Sequence, residues 1–219
     1  MWPYTYDSCD VGTFPNQTTQ AGEPAVDATG GVNGGPLSFL PGQRVSACTC
    51  PGSDHPGPTV STGRGVPEVD VLEAEVNVAL FQGEVSQSLQ IAPYNYQYQS
   101  VNTSPATTVY DSSITTLNNY KGGPYQQALS ALTLVDNQNY NNNGYATYGF
   151  ELWSDPSDRA SGYVTWYANG QPSWQVTAAS MGPDSITQVS QRLISEEPMV
   201  SYYYILLTLR FTGTSSTSF

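Results

Sequence analysis

The chain has 219 residues, and its 18 acidic against 6 basic side chains give a formal net charge of −12. Such a surface repels nucleic acids and anionic lipids, so neither is an expected partner, and an uncharged polymer such as a polysaccharide fits better. With 38% hydrophobic residues, 16 Tyr and 4 Trp, the chain suits one large all-β domain, and its aromatic rings offer apolar contact to the C–H faces of sugars.

Residues 1–67 are rich in Gly, Pro, Asn, Asp and Ser and show little hydrophobic periodicity. This composition predicts long ordered loops with one short strand near Arg44–Cys48. Loops of this length in a compact domain usually form the walls of a binding site. Trp2 and Tyr4 are therefore candidates for lining sugar subsites, with anchoring of the loops as an equal alternative.

The same region holds all three cysteines, and an odd number leaves at least one thiol unpaired or paired outside the chain. The disulfide candidates are Cys9, Cys48 and Cys50. The Cys-x-Cys segment has no second cysteine pair and only His55 beside it, so we predict neither a metal site nor a cofactor. Two N-x-S/T sequons, at Asn16 and Asn102, permit glycosylation and together with the cysteines indicate the secretory pathway.

The segment Gly63–Glu75 carries the strongest functional signal, because Glu68, Asp70 and Glu73 lie within six residues among β-forming side chains. Alternation with period two puts the first two on one face of a strand and Glu73 on the other. A one-residue β-bulge within Val71–Leu72 would return Glu73 to the shared face. Retaining glycoside hydrolysis needs such a group, with one attacking carboxylate and one protonated carboxyl about 5–5.5 Å apart. The alternative interpretation is a solvated acidic edge strand.

The next segments predict further strands and an ordered insert. One strand runs from the carboxylates through Val76–Gln82 and a second covers Val85–Ile91. Residues 93–144 are rich in Tyr, Asn, Gln, Ser and Thr but contain regularly placed apolar residues. Within them Gln126–Val135 is a short helix or a strand, and the pattern leaves both open.

A hairpin signal follows the insert. Tyr145–Trp153 alternates as a strand, and Gly162–Tyr167 runs into Asn169–Gly170, a strong type I′ turn signal. Gln171–Val176 forms the returning strand. Short strands joined by tight turns, without a long amphipathic helix, predict an antiparallel sandwich.

The sequence resembles glycoside hydrolase family 16. Glu68–Glu73 is similar to the catalytic motif of that family in its bulged E-x-D-x-x-E form. The closer similarity is to the fungal β-glucan synthesis-associated proteins, the membrane-anchored branch linked to cell-wall β-1,6-glucan. It covers about residues 1–199, and the segments that carry it are Trp2–Thr13, Asn16–Thr18, Ser46–Pro58, Gly63–Glu68, Trp153–Arg159 and Gln191–Met199.

The resemblance implies a concanavalin-like jelly roll with a concave glucan-binding cleft. It makes Glu68 the nucleophile and Glu73 the general acid/base, with Asp70 holding and tuning the nucleophile. Trp153 is a candidate for contacting sugar, although core packing is the default for a tryptophan on a strand. The implied function is that of a β-glucan-active retaining glycosidase or transglycosidase in cell-wall β-1,6-glucan biogenesis. The alternatives are a glucan-binding or assembly protein without turnover and a non-functional gene-model fragment.

The resemblance also predicts how the chain ends. Relatives carry a membrane anchor and the first jelly-roll strands before the segment that starts at Met1. We therefore expect residues 1–199 to be a partial family 16-like domain, incomplete at both ends, and the chain to be unstable or inactive alone. Residues 200–219 are expected to be an unrelated tail, which we interpret as translated intron. The full-length parent is expected at a membrane of the secretory pathway, on its lumenal or extracellular side, attached through a segment outside this chain.

Overall fold

A computed structural model of the chain shows an antiparallel β-sandwich, which confirms the predicted all-β, jelly-roll-like fold. Two larger sheets of five and four strands face each other. A separate two-stranded sheet pairs β1, Thr13–Phe14, with β2, Gln43–Arg44. The residues that the structure describes are 13–14, 43–44, 68–92, 98–122, 126–140, 143–155, 157–183 and 203–209.

The four-stranded sheet contains the carboxylate strand. Its members are β3 (Glu68–Asn77), β4 (Gln82–Ile91), β6 (Thr115–Leu117) and β7 (Gln127–Leu134). They lie in the order β3-β4-β7-β6, and every pair is antiparallel. The strand β7 settles the choice left open by the sequence, because Leu129, Ala131 and Thr133 are buried with period two.

The hairpin between β3 and β4 differs from the prediction, which extended the first strand to Gln82. The strand ends at Asn77, whose Oδ1 accepts a hydrogen bond of 3.0 Å from the main-chain N–H of Leu80. This side-chain acceptor competes with the ladder and starts a turn, as Asn commonly does. Phe81 closes the turn with a positive φ of 50° and is 85% exposed.

The five-stranded sheet forms the other layer. Its members are β5 (Thr107–Val109), β8 (Ala146–Asp155), β9 (Asp158–Ala168), β10 (Gln171–Thr177) and β11 (Tyr203–Leu209). They lie in the order β11-β8-β9-β10-β5. The turn between β9 and β10 has positive φ at both Asn169 (51°) and Gly170 (76°), which confirms the predicted type I′ hairpin.

The edge strand β11 comes from the segment that the sequence assigned to an unrelated tail. Its backbone pairs with β8 without a register shift, from Tyr203 opposite Leu152 to Leu209 opposite Ala146. The strand therefore covers one edge of the sheet that would otherwise present unpaired N–H and C=O groups.

The core fills the space between the two larger sheets. From the five-stranded sheet, Trp166 and Trp174 stack with centroids 4.4 Å apart and are fully buried. From the four-stranded sheet, Leu89 and Ile91 pack against them. Burying each such side chain contributes about 1.5–3 kcal/mol, so this layer holds the two sheets in a fixed relation.

Candidate active site

The three predicted carboxylates lie on one face of β3. Asp70 pairs with Ser88 and Glu73 pairs with Ser86, so that two residues, Val71 and Leu72, oppose the single residue between those serines. This register shift is the β-bulge that the sequence predicts at Val71–Leu72. Without it Glu73 would point into the core, whereas with it Glu73 lies on the same side as Asp70 and Glu68.

Glu73 and Glu75 line a groove of about 260 Å³ on the outer face of the four-stranded sheet. Asp70 does not line it but is hydrogen-bonded to two residues that do, Ser88 and Gln90. Its floor consists of short or uncharged side chains from β4 and β7, namely Ser86, Ser88, Gln90, Ala128 and Ser130. Ser88 is only 1% exposed although it faces outward, which shows that the sheet is covered by its surroundings at this point. The floor is therefore polar and uncharged, and it lies below a row of carboxyl groups.

One wall of the groove is formed by the segment that follows β6. Asn118, Tyr120 and Gly122 lie along it, and Tyr120 is 74% exposed. The main chain continues the sheet edge, because the N–H of Asn118 donates to the carbonyl of Ser130 at 2.9 Å. Asn118 Oδ1 in turn accepts the N–H of Tyr120 at 2.9 Å. The wall thus presents an aromatic ring and an amide on a backbone held by hydrogen bonds.

Asp70 is held by two side chains of the neighbouring strand. Its Oδ2 accepts hydrogen bonds of 2.8 Å from Ser88 Oγ and 2.8 Å from Gln90 Nε2. The amide of Gln90 is itself fixed, because its Oε1 accepts a 3.0 Å bond from Gln126 Nε2. These bonds fix the orientation of the middle carboxylate between the two glutamates.

The surroundings of Glu73 raise the pKa of its carboxyl group. Its carboxyl lies in the groove and loses part of its hydration although the side chain stays partly exposed. This desolvation raises the pKa of Glu73, and the charges of Asp70, Glu75 and Glu68 raise it further, in that order. A larger fraction of Glu73 is therefore protonated at a given pH than for an ordinary glutamate.

Glu75 extends the acidic row beyond the predicted motif. The sequence interpretation takes it as solvated, and it is exposed, but it also borders the groove beside Glu73. It pairs across the strands with Glu84, which is 8% exposed and accepts a 3.0 Å bond from Asn77 Nδ2. Glu75 thus contributes negative charge to the groove without being part of the E-x-D-x-x-E spacing.

Sequence reasoning did not single out the groove floor or its tyrosine. The polar positions Glu84, Ser86, Ser88 and Gln90 alternate with Val85, Gln87 and Leu89, and this period of two marks the outer face of β4. That pattern was available in the sequence. Tyr120 carries no such signal, because its approach to the groove depends on the course of the chain after β6.

The other predicted site residues lie apart from the groove or outside the described residues. Trp153 stacks on Tyr163 with centroids 5.6 Å apart, on the face of β8 opposite to the buried Leu152. The structure therefore places Trp153 on the outer face of the five-stranded sheet and not beside the carboxylates. Asn102 is exposed, as a glycosylation acceptor must be. Outside the described residues lie Trp2, Tyr4, Cys9, Asn16, Cys48 and Cys50.

Two features are not found in the described part of the chain. No group of three or more His, Cys, Asp or Glu side chains is arranged there to hold a metal ion. Among the same residues, no helix has the length and apolar character needed to cross a membrane.

Fold and groove together define a β-sandwich protein with a row of carboxylates beside a groove on one sheet whose floor is polar and uncharged. The family model for the beta-glucan synthesis-associated proteins SKN1/KRE6/Sbg1 matches residues 1–216, so the chain belongs to this family. The match includes most of the segment 200–219, and the interpretation of that segment as translated intron stays a prediction.

Individual relatives agree with the family assignment. The chain is 38% identical over 203 residues to beta-glucan synthesis-associated protein SKN1 of Candida albicans. It is 39% identical over 201 residues to beta-glucan synthesis-associated protein KRE6 of Saccharomyces cerevisiae. Each alignment covers 91% of this chain but only 24% and 25% of the respective relative, so the chain spans about a quarter of their length. No solved structure shows a significant match.

Proposed function

We propose that the groove is the active site of a retaining glycosidase or transglycosidase that acts on β-glucan. The observation that carries this proposal is the bulge, which brings Glu73, a residue lining the groove, to the same face of β3 as Glu68 and Asp70. Three carboxyl groups on one face repel one another and cost stability, and such unfavourable clusters are typical of functional sites.

In the proposed mechanism, the two glutamates have different roles because their environments differ. Glu68 attacks the anomeric carbon of a bound glucan, and the bond to the leaving oxygen breaks as a glycosyl–enzyme ester forms. Glu73 gives its proton to the leaving oxygen, for which its raised pKa suits it. Glu73 then takes a proton from the acceptor that resolves the ester. If the acceptor is water the result is hydrolysis, and if it is a sugar hydroxyl the result is transfer.

Asp70 acts between them as an anchor. Its two hydrogen bonds leave it oriented on the strand between the reacting groups. Together with desolvation, its negative charge raises the pKa of Glu73, which favours the protonated form that a general acid needs.

Two observations support β-glucan as the substrate. The groove floor is polar and uncharged, which suits hydroxyl groups rather than an ionic ligand. The relatives carry names that associate them with beta-glucan synthesis. We further propose that transfer is the reaction relevant to synthesis, and that the parent protein performs it at a membrane of the secretory pathway.

The test incubates the purified chain with reducing-end-labelled β-1,3- and β-1,6-linked glucan oligosaccharides and follows the products by mass spectrometry. We expect shorter and longer products, in contrast to the inactivity expected from the sequence, because β11 completes one edge of the five-stranded sheet. Glu68→Gln and Glu73→Gln should lower their rate by roughly 100- to 10,000-fold. The matched control is Glu151→Gln, which removes a carboxylate from β8 of the other sheet, away from the groove, and should keep most of the rate. Binding of the oligosaccharides without any shortened or lengthened product would favour a glucan-binding protein without turnover.

A further inference from the structure

Two buried side chains donate hydrogen bonds to main-chain carbonyl groups at the β-bulge. The carbonyl of Asp70 accepts a 2.9 Å bond from Trp166 Nε1, which reaches across from β9 in the opposite sheet. The carbonyl of Val71 accepts a 3.1 Å bond from Gln87 Nε2. A bulge disrupts local pairing, and an unpaired buried carbonyl costs free energy, so these donors compensate for the irregular register.

Gln87 is placed and oriented for this contact. It is the residue of β4 that lies between Ser86 and Ser88, opposite the two residues of the bulge, and it is fully buried. Its Nε2 also donates to the carbonyl of Tyr167 at 3.2 Å, and its Oε1 accepts a 2.7 Å bond from Ser173 Oγ. A flipped amide would direct Oε1 at two carbonyl oxygens, so the network permits one orientation.

Trp166 is equally constrained. It is fully buried, and its ring stacks on Trp174 at a centroid distance of 4.4 Å and an interplanar angle of 8°. The two rings differ in their polar atom: Nε1 of Trp166 is bonded to Asp70, whereas Nε1 of Trp174 is buried without a hydrogen-bond partner in the described part of the chain. The pair therefore offers a matched comparison of the same ring with and without the contact to β3.

We propose that Gln87 and Trp166 are positioning residues, which hold the β3 bulge in register and thereby keep Glu73 on the same face as Glu68 and Asp70. A regular strand without the bulge would direct Glu73 toward the core, where a carboxylate is unfavourable. Because the core disfavours Glu73, loss of the hydrogen bonds from Gln87 and Trp166, which we call the clamp, should leave β3 without a fixed register beyond Val71 and move Glu73 from the groove into solvent. The catalytic part of this proposal rests on the function proposed above. The part that concerns the register of β3 rests on the geometry alone.

The consequence for Glu73 follows from the groups that face it. These are Glu68, Asp70 and Glu75 on its own strand, Glu84 opposite Glu75 on β4, and Tyr120 on the groove wall. In the clamped register the three β3 carboxylates surround Glu73, and in a released strand they separate from it. Release also returns the Glu73 carboxyl to solvent and so removes the desolvation that is the largest cause of its raised pKa, and the pKa of Glu73 should therefore fall toward that of an ordinary glutamate.

The experiment measures the titration of Glu73 by NMR in the full chain labelled with ¹³C at glutamate side chains, with Glu73→Gln assigning the signal. Gln87→Met keeps the volume and removes the amide, and Trp166→Phe removes the indole N–H. We expect the Glu73 pKa to fall in both variants and to stay unchanged in the control Trp174→Phe. If the wild type is active, the two variants should also lose about 100-fold in kcat with little change in KM, and their alkaline pH limb should move to lower pH.

The result that overturns the proposal is an unchanged Glu73 titration in a folded Gln87→Met or Trp166→Phe variant, or an equal shift in Trp174→Phe. An inactive wild type with the expected pKa shifts would refute the proposed function and leave the clamp standing. If neither variant folds, hydrogen exchange of the wild type decides. The Trp166 indole N–H should then exchange together with the β3 amides, and independent exchange would contradict the clamp.

Discussion

Ser88 Oγ donates a 2.8 Å hydrogen bond to Asp70 Oδ2, and the two residues lie directly opposite each other on β4 and β3. The contact joins the groove floor to the middle carboxylate of the acidic row. It is one of two bonds to the same oxygen, the other coming from Gln90.

Removing the Ser88 hydroxyl tests whether turnover depends on the orientation of the Asp70 carboxylate. Ser88→Ala should cost about 1 kcal/mol of folding free energy and should lower glucan turnover more than it weakens glucan binding. Urea unfolding measures the first effect, and kcat against KM measures the second. Ser130→Ala is the matched control, because Ser130 lies opposite Ser88 on β7 and also lines the floor. An equal loss of kcat in the control would assign the effect to the floor rather than to Asp70.

The raised pKa of Glu73 predicts a pH-dependent stability. The folded chain holds this proton more tightly than the unfolded chain, so the associated stability is present below the ordinary pKa of 4.5 and is lost as pH rises through the raised value. Glu73→Gln should therefore melt at a higher temperature than the wild type at neutral pH, and the difference should vanish below pH 4.5. Melting curves by circular dichroism across this range provide the measurement. A variant that is less stable at neutral pH would contradict the assigned environment.

Substitution of Tyr120 should weaken oligosaccharide binding without changing the stability of the fold. Its ring is 74% exposed on the groove wall, so Tyr120→Ala removes little packing and should change stability by less than about 0.5 kcal/mol. Loss of an aromatic contact to sugar should weaken oligosaccharide binding by roughly ten-fold. Calorimetric titration of the inactive Glu73→Gln chain, with and without the second substitution, isolates binding from turnover. Tyr145→Ala is the control, since Tyr145 is 58% exposed and does not line the groove.

In the hairpin between β9 and β10, replacement of Gly170 by a residue with a side chain should lower the stability of the fold. Its φ of 76° is accessible to glycine, whereas a side chain there is strained, and a Cβ at this position would meet no atom within 4 Å. Gly170→Ala should therefore destabilise the chain by about 1–2 kcal/mol through backbone strain alone. Gly170→Asn should recover part of the loss, because asparagine tolerates the left-handed region. Urea unfolding of the three proteins checks this order, and equal stability of the Ala and Asn variants would contradict it.

The sequence predicts the strands and the acidic motif better than it predicts the groove. The β-bulge and the Asn169–Gly170 turn are local features, because period-two alternation and turn chemistry act over a few residues. The end of β3 at Asn77 was missed, since apolar residues 78–81 look like a strand and one side-chain hydrogen bond decides otherwise.

The remaining contacts are not local, and the sequence does not reveal them. Trp166 meets Asp70 across 96 positions of sequence, and Gln87 meets Ser173 across 86. Trp153 was chosen by residue type, which does not tell which sheet or which face the ring occupies. Tyr120 depends in the same way on the packing of distant segments. Such relations become visible only when the two sheets are brought together.

The proposed retaining chemistry is tested most directly by trapping its covalent intermediate. Fluorine at the sugar 2-position slows both steps through the oxocarbenium-like transition state, and a fluoride leaving group restores the first, so the ester accumulates. Mass spectrometry of the chain after incubation with a 2-deoxy-2-fluoro-β-glucan oligosaccharyl fluoride should show one added glycosyl group on the peptide containing Glu68. The Glu68→Gln chain should remain unlabelled. A label on Glu73 or Glu75 would contradict the assigned roles, and an unlabelled wild type that still binds the oligosaccharide would contradict retaining catalysis by this groove.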